Sequence, residues 1–261
     1  MDQAVATGQQ LVPSYVHRAR ELFARYGDAE AIVAGERRLT YRDVDLGVTT
    51  MATALHQHGI RSGMAVAVLA GNPPEAIFLQ LALHLLGCRS VWIAPNAPAR
   101  LREEYLRLAE VDAFIYGVHT HAGLGQELLQ VAPQLAVFCL GPGGLGPDLL
   151  NAPPSATLPI DPATVADEPQ SVFQTGGTTG RPKLVHHRHS FFQALHSVAE
   201  FYLAADGRPL RHLSVSGFWH ASVQTSGLLT LFTGGTVVLQ EGFVMQDFLG
   251  AIERERITST L

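Results

Sequence analysis

The sequence is short of charge. Of 261 residues, 18 are Lys or Arg and 23 are Asp or Glu, a formal net charge of −5 at pH 7 with histidine neutral. A broad nucleic-acid surface needs a basic excess, so no nucleic-acid partner is expected. Cysteine is scarcer still. Cys88 and Cys139 stand alone in apolar surroundings, without Cys-x-x-Cys or Cys/His spacing. They read as buried small hydrophobes in a reducing compartment. Long hydrophobic runs are absent too. The most apolar stretch, 76–88, is interrupted by Gln80 and His84, and it falls short of the ~20 residues that span a bilayer. Residues 1–11 show no basic segment followed by an apolar core. The expectation is a cytoplasmic chain without a membrane partner. What is abundant is apolar: 47% of residues are hydrophobic, enough to bury a core in one large domain or two small ones.

The patterning is that of an α/β protein: mostly parallel sheets with helices on both faces. A helix is expected over 13–27, with Leu22 and Phe23 inward. A short hairpin is expected over 31–34 and 38–39 around Gly35-Glu36, and Thr40 and Asp43 form a capping-box signal opening a helix to about His58. Strands at 64–69, 90–93, 113–116 and 136–140 then alternate with helices at 75–87, 99–110 and 124–131. Residues 141–170 hold seven prolines and little apolar periodicity, which reads as a surface crossover. Alternation resumes with strands at 171–174, 184–187, 211–215 and 236–240, and helices at 190–204, 222–232 and 246–255. This divides the chain into a first α/β subdomain (1–140), the crossover (141–170) and a second, incomplete subdomain (171–261). An apolar β-rich stretch at 257–261 has no turn after it. A free strand edge there invites aggregation, so the chain is expected to stop inside its natural fold.

One passage carries chemistry: Phe173-Gln174-Thr175-Gly176-Gly177-Thr178-Thr179-Gly180-Arg181-Pro182-Lys183. Glycines let successive amide N–H groups approach one anion, threonine hydroxyls add rotatable donors, and Lys183 adds a point charge. A plain turn has no need of three threonines and a Pro-Lys. A Walker A loop needs Gly-Lys-Ser/Thr running into a helix, but here Arg181-Pro182 intervenes and Leu184 follows the lysine. A dinucleotide fingerprint needs a GxGxxG spacing that is not present.

At these residues the sequence resembles the adenylate-forming superfamily: acyl- and aryl-CoA synthetases, peptide-synthetase adenylation domains and luciferases. Their phosphate loop runs Thr/Ser-Ser-Gly-Thr/Ser-Thr-Gly-x-Pro-Lys-Gly, with a histidine a few residues later. Thr175, Gly177, Thr178, Thr179, Gly180, Pro182, Lys183 and His189 match; Gly176 and Leu184 depart, in a form similar to the aryl-acid branch. The likeness extends to 39–43, 63–69, 234–239 and 252–258. It implies that Thr175, Gly176, Gly177, Thr178, Thr179, Gly180 and Lys183 hold ATP phosphates and that Lys183 is catalytic. It also implies that Trp219 and His220, beside Phe218, line the pocket of a carboxylic-acid substrate. On residue type alone, a core tryptophan with a satisfied histidine is the alternative. The implied reaction forms acyl-AMP from ATP with Mg²⁺, then passes the acyl group to coenzyme A or a phosphopantetheinyl carrier arm. A truncated, non-catalytic nucleotide-binding protein is the competing reading. The family's adenine, ribose and second-domain motifs do not occur in 190–261. The resemblance thus implies only the N-terminal portion of a member, inactive without the C-terminal part of the same enzyme. The identity of the acid and the oligomeric state are not legible.

His186, His187 and His189 raise a metal site, since on a strand His187 and His189 would share a face. No carboxylate or cysteine completes a set nearby, so no metal is assigned. His119 and His121 read as exposed polar residues ahead of a helix.

Overall fold

Thr40 illustrates how local chemistry sets the elements. Its backbone N–H donates to Asp43 Oδ2 at 2.8 Å, and Asp43 N–H donates to Thr40 Oγ1 at 3.2 Å. That reciprocal pair is the expected capping box, and it satisfies two donors that a helix start leaves open. The computed structural model describes residues 11–160, 163–175, 183–203 and 206–260, with the backbone alone for Thr175 and Glu200.

The chain opens with β1 (Leu11–Pro13), α1 (Tyr15–Tyr26), β2 (Glu30–Ala34), β3 (Arg37–Thr40) and α2 (Tyr41–Gln57). It continues through β4 (Ala65–Leu69), α3 (Pro74–Leu85), β5 (Arg89–Trp92), α4 (Ala99–Leu108), β6 (Ala113–Gly117), α5 (Val118–Val131) and β7 (Ala136–Leu140). After a 3₁₀ turn at Leu149–Asn151 come β8 (Thr164–Ala166), β9 (Pro169–Thr175), β10 (Lys183–Arg188) and α6 (His189–Val198). A second 3₁₀ turn, Ala199–Phe201, precedes β11 (Arg211–Ser214), α7 (Ala221–Phe232), β12 (Thr236–Leu239), α8 (Met245–Arg254) and β13 (Ser259–Thr260).

Among the described residues, a six-stranded sheet has the order β10-β9-β5-β4-β6-β7 and a five-stranded sheet the order β13-β11-β12-β2-β3. Each is parallel apart from one antiparallel edge strand, β10 in the first and β3 in the second. Both sheets draw strands from either side of 141–170. Within that crossover β8 pairs with β1, and Thr49 Oγ1 on α2 donates to Ser155 O at 2.5 Å.

The main core lies between the sheets. It combines inner-face residues such as Val66, Val68, Phe173, Ile32 and Val237 with α1, α2, α3, α6 and α7. A second core packs Ala65, Ala67 and Phe114 under α4 and α5, and a third sets Leu213 and Val238 under α8. The layers therefore run α-β-α-β-α. All of β4 is buried, as expected of a parallel strand covered on both faces. Pro73-Pro74 presets the first turn of α3, and of its residues only Glu75 escapes burial. Its leucines, such as Leu79 and Leu83 at 0% exposure, each contribute about 1.5–3 kcal/mol. Cys88 and Cys139 are free and buried, and burial pushes the Cys88 thiol up to about 12.

Two boundaries differ from the sequence pattern. The helix expected at 124–131 begins at Val118, directly off β6, and is kinked where His121 leaves helical geometry (φ −140°). His119 is exposed and His121 half-buried. The helix expected to 204 ends at Val198 and tightens into the 3₁₀ turn; residues 204–205 lie outside those described.

Candidate active site

In a parallel sheet the crevice beyond the carboxyl ends of the strands is where ligands bind. β9 delivers Thr175 to that end. In the β9–β10 register Lys183 is the Cα partner of Thr175, so the hairpin opens with these two residues facing each other. Lys183 is exposed. It is also the only lysine in the chain, a signal that counting the sequence would have supplied. Gly176, Gly177, Thr178, Thr179 and Gly180, with the Thr175 side chain, lie outside the described residues.

The strands next to β9 bring the second part of the site. Val91 pairs with Val172, which puts Trp92 level with Phe173, two residues from Thr175 and so about 7 Å down the strand. The Trp92 ring meets that of Phe218 with centroids 5.1 Å apart. Trp219 and His220 follow Phe218 on the loop leading into α7. Trp219 is half-buried and His220, the N-cap of α7, is exposed, with ring centroids 5.8 Å apart. The Trp219 ring stands against Gly217, where a Cβ would fall 2.0 Å from it. An open cleft of about 770 Å³ lies at the neighbouring carboxyl ends of β2 and β12, lined by Gly35, Asn72, Pro73, Gln240 and Glu241.

Behind this rim runs a buried polar relay that the sequence did not reveal. On α3, His84 Nδ1 is hydrogen-bonded to the Tyr15 hydroxyl, and its Nε2 lies 3.0 Å from Ser90 Oγ and 3.1 Å from Ser171 Oγ. Ser171 donates to Gln224 Oε1 at 3.3 Å, and Gln224 Nε2 donates to Phe218 O at 2.8 Å. Tyr15 carries two more histidines: its N–H donates to His189 Nε2 at 2.9 Å, and its carbonyl accepts from His196 Nε2 at 3.1 Å. Burial, helped by the nearby His189, lowers His84 to about 3; burial lowers His189 and His196 to about 4. All three are neutral at pH 7. Nothing local in the sequence marks Tyr15, Gln224 or Ser171, because their partners lie far away along the chain.

The histidine cluster comes apart in space. β10 stops at Arg188 and His189 opens α6. His186 is exposed, His187 rests against Phe173, Phe191 and Phe192, and His189 is buried. Among the described residues no three His, Cys, Asp or Glu side chains gather into a cation site.

Comparison with known proteins agrees with this architecture. Residues 19–261 match the family described as AMP-binding enzyme. The chain is 26% identical over 262 residues to a salicylyl-CoA synthase / salicylate adenylyltransferase of Streptomyces sp., covering 95% of this chain and 47% of that protein. It is 30% identical over 243 residues to Protein Y of Streptomyces griseus, covering 89% and 78%. The solved amide bond synthetase McbA from Marinactinospora thermotolerans superposes with a TM-score of 0.78 at 28% identity, over 94% of this chain and 48% of that one. The chain spans about half the length of the first curated relatives it matches. It belongs to the adenylate-forming, AMP-binding enzyme family.

Proposed function

We propose that this chain is the ATP- and acid-binding portion of an enzyme that converts a carboxylic acid to its acyl-AMP and passes the acyl group to a thiol. The observation that carries this reading is the placement of the lone lysine. Lys183 faces Thr175 at the mouth of a glycine- and threonine-rich hairpin, at the carboxyl end of a parallel sheet, beside an aromatic loop.

A carboxylate is a poor electrophile, and adenylation supplies the leaving group that makes it acylating. In the proposed step, a carboxylate oxygen attacks the α-phosphorus of ATP and the bond to the pyrophosphate oxygen breaks. Charge builds on the leaving pyrophosphate, where the Lys183 ammonium and the amides and hydroxyls of 175–180 would stabilise it. Mg²⁺, when bound, would neutralise phosphate charge. It would be held by the substrate phosphates with one or two carboxylates and water. Trp219 and His220 would line the acid, with the indole face suited to a planar substrate. An aryl acid is the substrate class we favour, on the Gly176/Leu184 loop form and the likeness to a salicylyl-CoA synthase. Coenzyme A or a phosphopantetheinyl carrier arm would be the acceptor; the similarity to an amide bond synthetase adds an amine as the competing acceptor.

Acid-dependent ATP–pyrophosphate exchange on the full-length protein, screened across aryl and aliphatic acids, tests the reading. Lys183→Ala is expected to slow exchange by about 10²–10³-fold, the effect of losing one preorganised donor to a developing anion. Unchanged exchange in that variant would refute the assigned role. The 261 residues alone are expected not to complete the exchange, and exchange by them would contradict that.

A further inference from the structure

Phe218 heads the loop that carries Trp219 and His220, and both of its backbone groups end on buried side chains. Its N–H donates to Asn72 Oδ1 at 2.9 Å, and its carbonyl accepts from Gln224 Nε2 at 2.8 Å. Asn72 is 3% exposed and Gln224 1%. Asn72 Nδ2 also donates to Ser216 O and to Gln240 O, each at 2.8 Å, and the Asn72 N–H donates to Glu241 Oε2 at 3.1 Å. One primary amide offers two donors and a carbonyl; here all three reach main-chain atoms of the other sheet's loops. Gly71 makes the approach possible, since a Cβ there would fall 2.1 Å from Glu241 Oε2.

We propose that Asn72, seconded by Gln224, is a positioning residue: it locks the 216–220 loop to the β4–α3 turn and so fixes Trp219 and His220 relative to the carboxyl ends of both sheets. Only an amide serves at position 72. A carboxylate would set an oxygen against the carbonyls of Ser216 and Gln240, and an apolar side chain would leave buried groups unpaired. Its consequence for acid binding rests on the reading given under Proposed function.

The loop itself can be observed without turnover. The chain has two tryptophans, and Trp92 is 1% exposed, so iodide quenching reports Trp219. Asn72→Asp and Gln224→Leu are each expected to raise the quenching constant by about twofold or more, as a supporting shell is loosened. In the unaltered chain, the Phe218 amide is expected to resist hydrogen exchange although it lies in a loop. That arm needs no variant to fold. A Phe218 amide that exchanges freely, or folded variants with unchanged quenching, would overturn the proposal. On the full-length protein, Asn72→Asp should raise the acid KM about tenfold while the ATP KM moves by less than about twofold. A loosened loop with an unchanged acid KM would count against the acid-site reading and leave the lock standing.

Discussion

Each sheet ends in an antiparallel hairpin at the same relative place, the carboxyl end of a parallel run, and the two hairpins are built in opposite ways. β2–β3 turns in two residues, Gly35 and Glu36, with Gly35 at φ +59°. Its outer strand is tied down by charge: Arg38 reaches Glu30 at 3.0 Å and Glu255 at 3.1 Å, Arg211 reaches the same two carboxylates, and Arg37 reaches Glu75 at 2.6 Å. β9–β10 spends seven residues, 176–182, on its connection and places an exposed lysine where the chain returns. A hairpin whose arginines are neutralised by neighbouring carboxylates stabilises the fold; one whose sequence joins glycines and threonines to an exposed cation has the composition to take an anion from outside. Topology is shared, and residue chemistry divides the roles.

The sharpest way to break this contrast is to remove the cation of the β9–β10 hairpin. Lys183→Ala should lower acid-dependent exchange on the full-length protein by about 10²-fold or more. Its thermal midpoint should stay within about 1 °C, because an exposed side chain is lost. Loss of fold together with loss of exchange would make the hairpin structural after all.

The next effect in size is acid sensitivity, and it separates the two hairpins by pH. Beneath β10 and α6, the unfolded chain protonates His84, His189 and His196 from about pH 6.5 downward. The folded chain holds them neutral to about 4, and to about 3 for His84. Stability from these groups is complete above about pH 6.5 and falls as the pH drops toward 4, by up to about 1.4 kcal/mol per pH unit for each ring. Around β3, Arg38 holds the Glu255 carboxyl below its ordinary value despite the opposing effect of burial. That stability is present above the ordinary carboxylate range and is lost only as the pH falls through it. Hydrogen exchange at pH 7.5 and 5 should therefore show 11–20 and 189–198, with three such rings, opening first, and 30–40, whose sheet holds the single buried His212 lowered to about 4, responding less. The reverse order would contradict the histidine account.

The smallest effect is expected from Glu255→Gln. It should cost about 1–2 kcal/mol of stability, since Glu255 is buried but its partner Arg38 is largely solvated. Exchange on the full-length protein should stay within about twofold, which a denaturant titration and an activity assay would check together. A large activity loss would show that β2–β3 reaches the site.

The elements were readable where their signals are local: the Thr40–Asp43 box and the unbroken apolar run of β4. The glycine- and threonine-rich motif that carries the family likeness was readable for the same reason. The interleaving of sheets was not, because a βαβ pattern says that strands are parallel without saying which sheet each joins. Asn72 shows the limit at the site. Its amide ends on Ser216 and Gln240, whose positions depend on the folded whole. Gln224 and His84 are polar breaks in apolar helices, visible as anomalies but without visible partners. The strand expected over 184–187 runs over Lys183–Arg188, and His189 opens helix α6, so His187 and His189 do not share a strand face.

The central claim, that the β9–β10 hairpin binds ATP phosphates through Lys183, can be tested on this chain without turnover. Lys183 is its only lysine, so an amine reagent used at trace level modifies Lys183 and the N-terminus and no other primary amine. ATP at about ten times its dissociation constant should slow modification of Lys183 about tenfold, AMP should slow it much less, and the N-terminus should react unchanged. Equal rates with and without ATP would contradict the account.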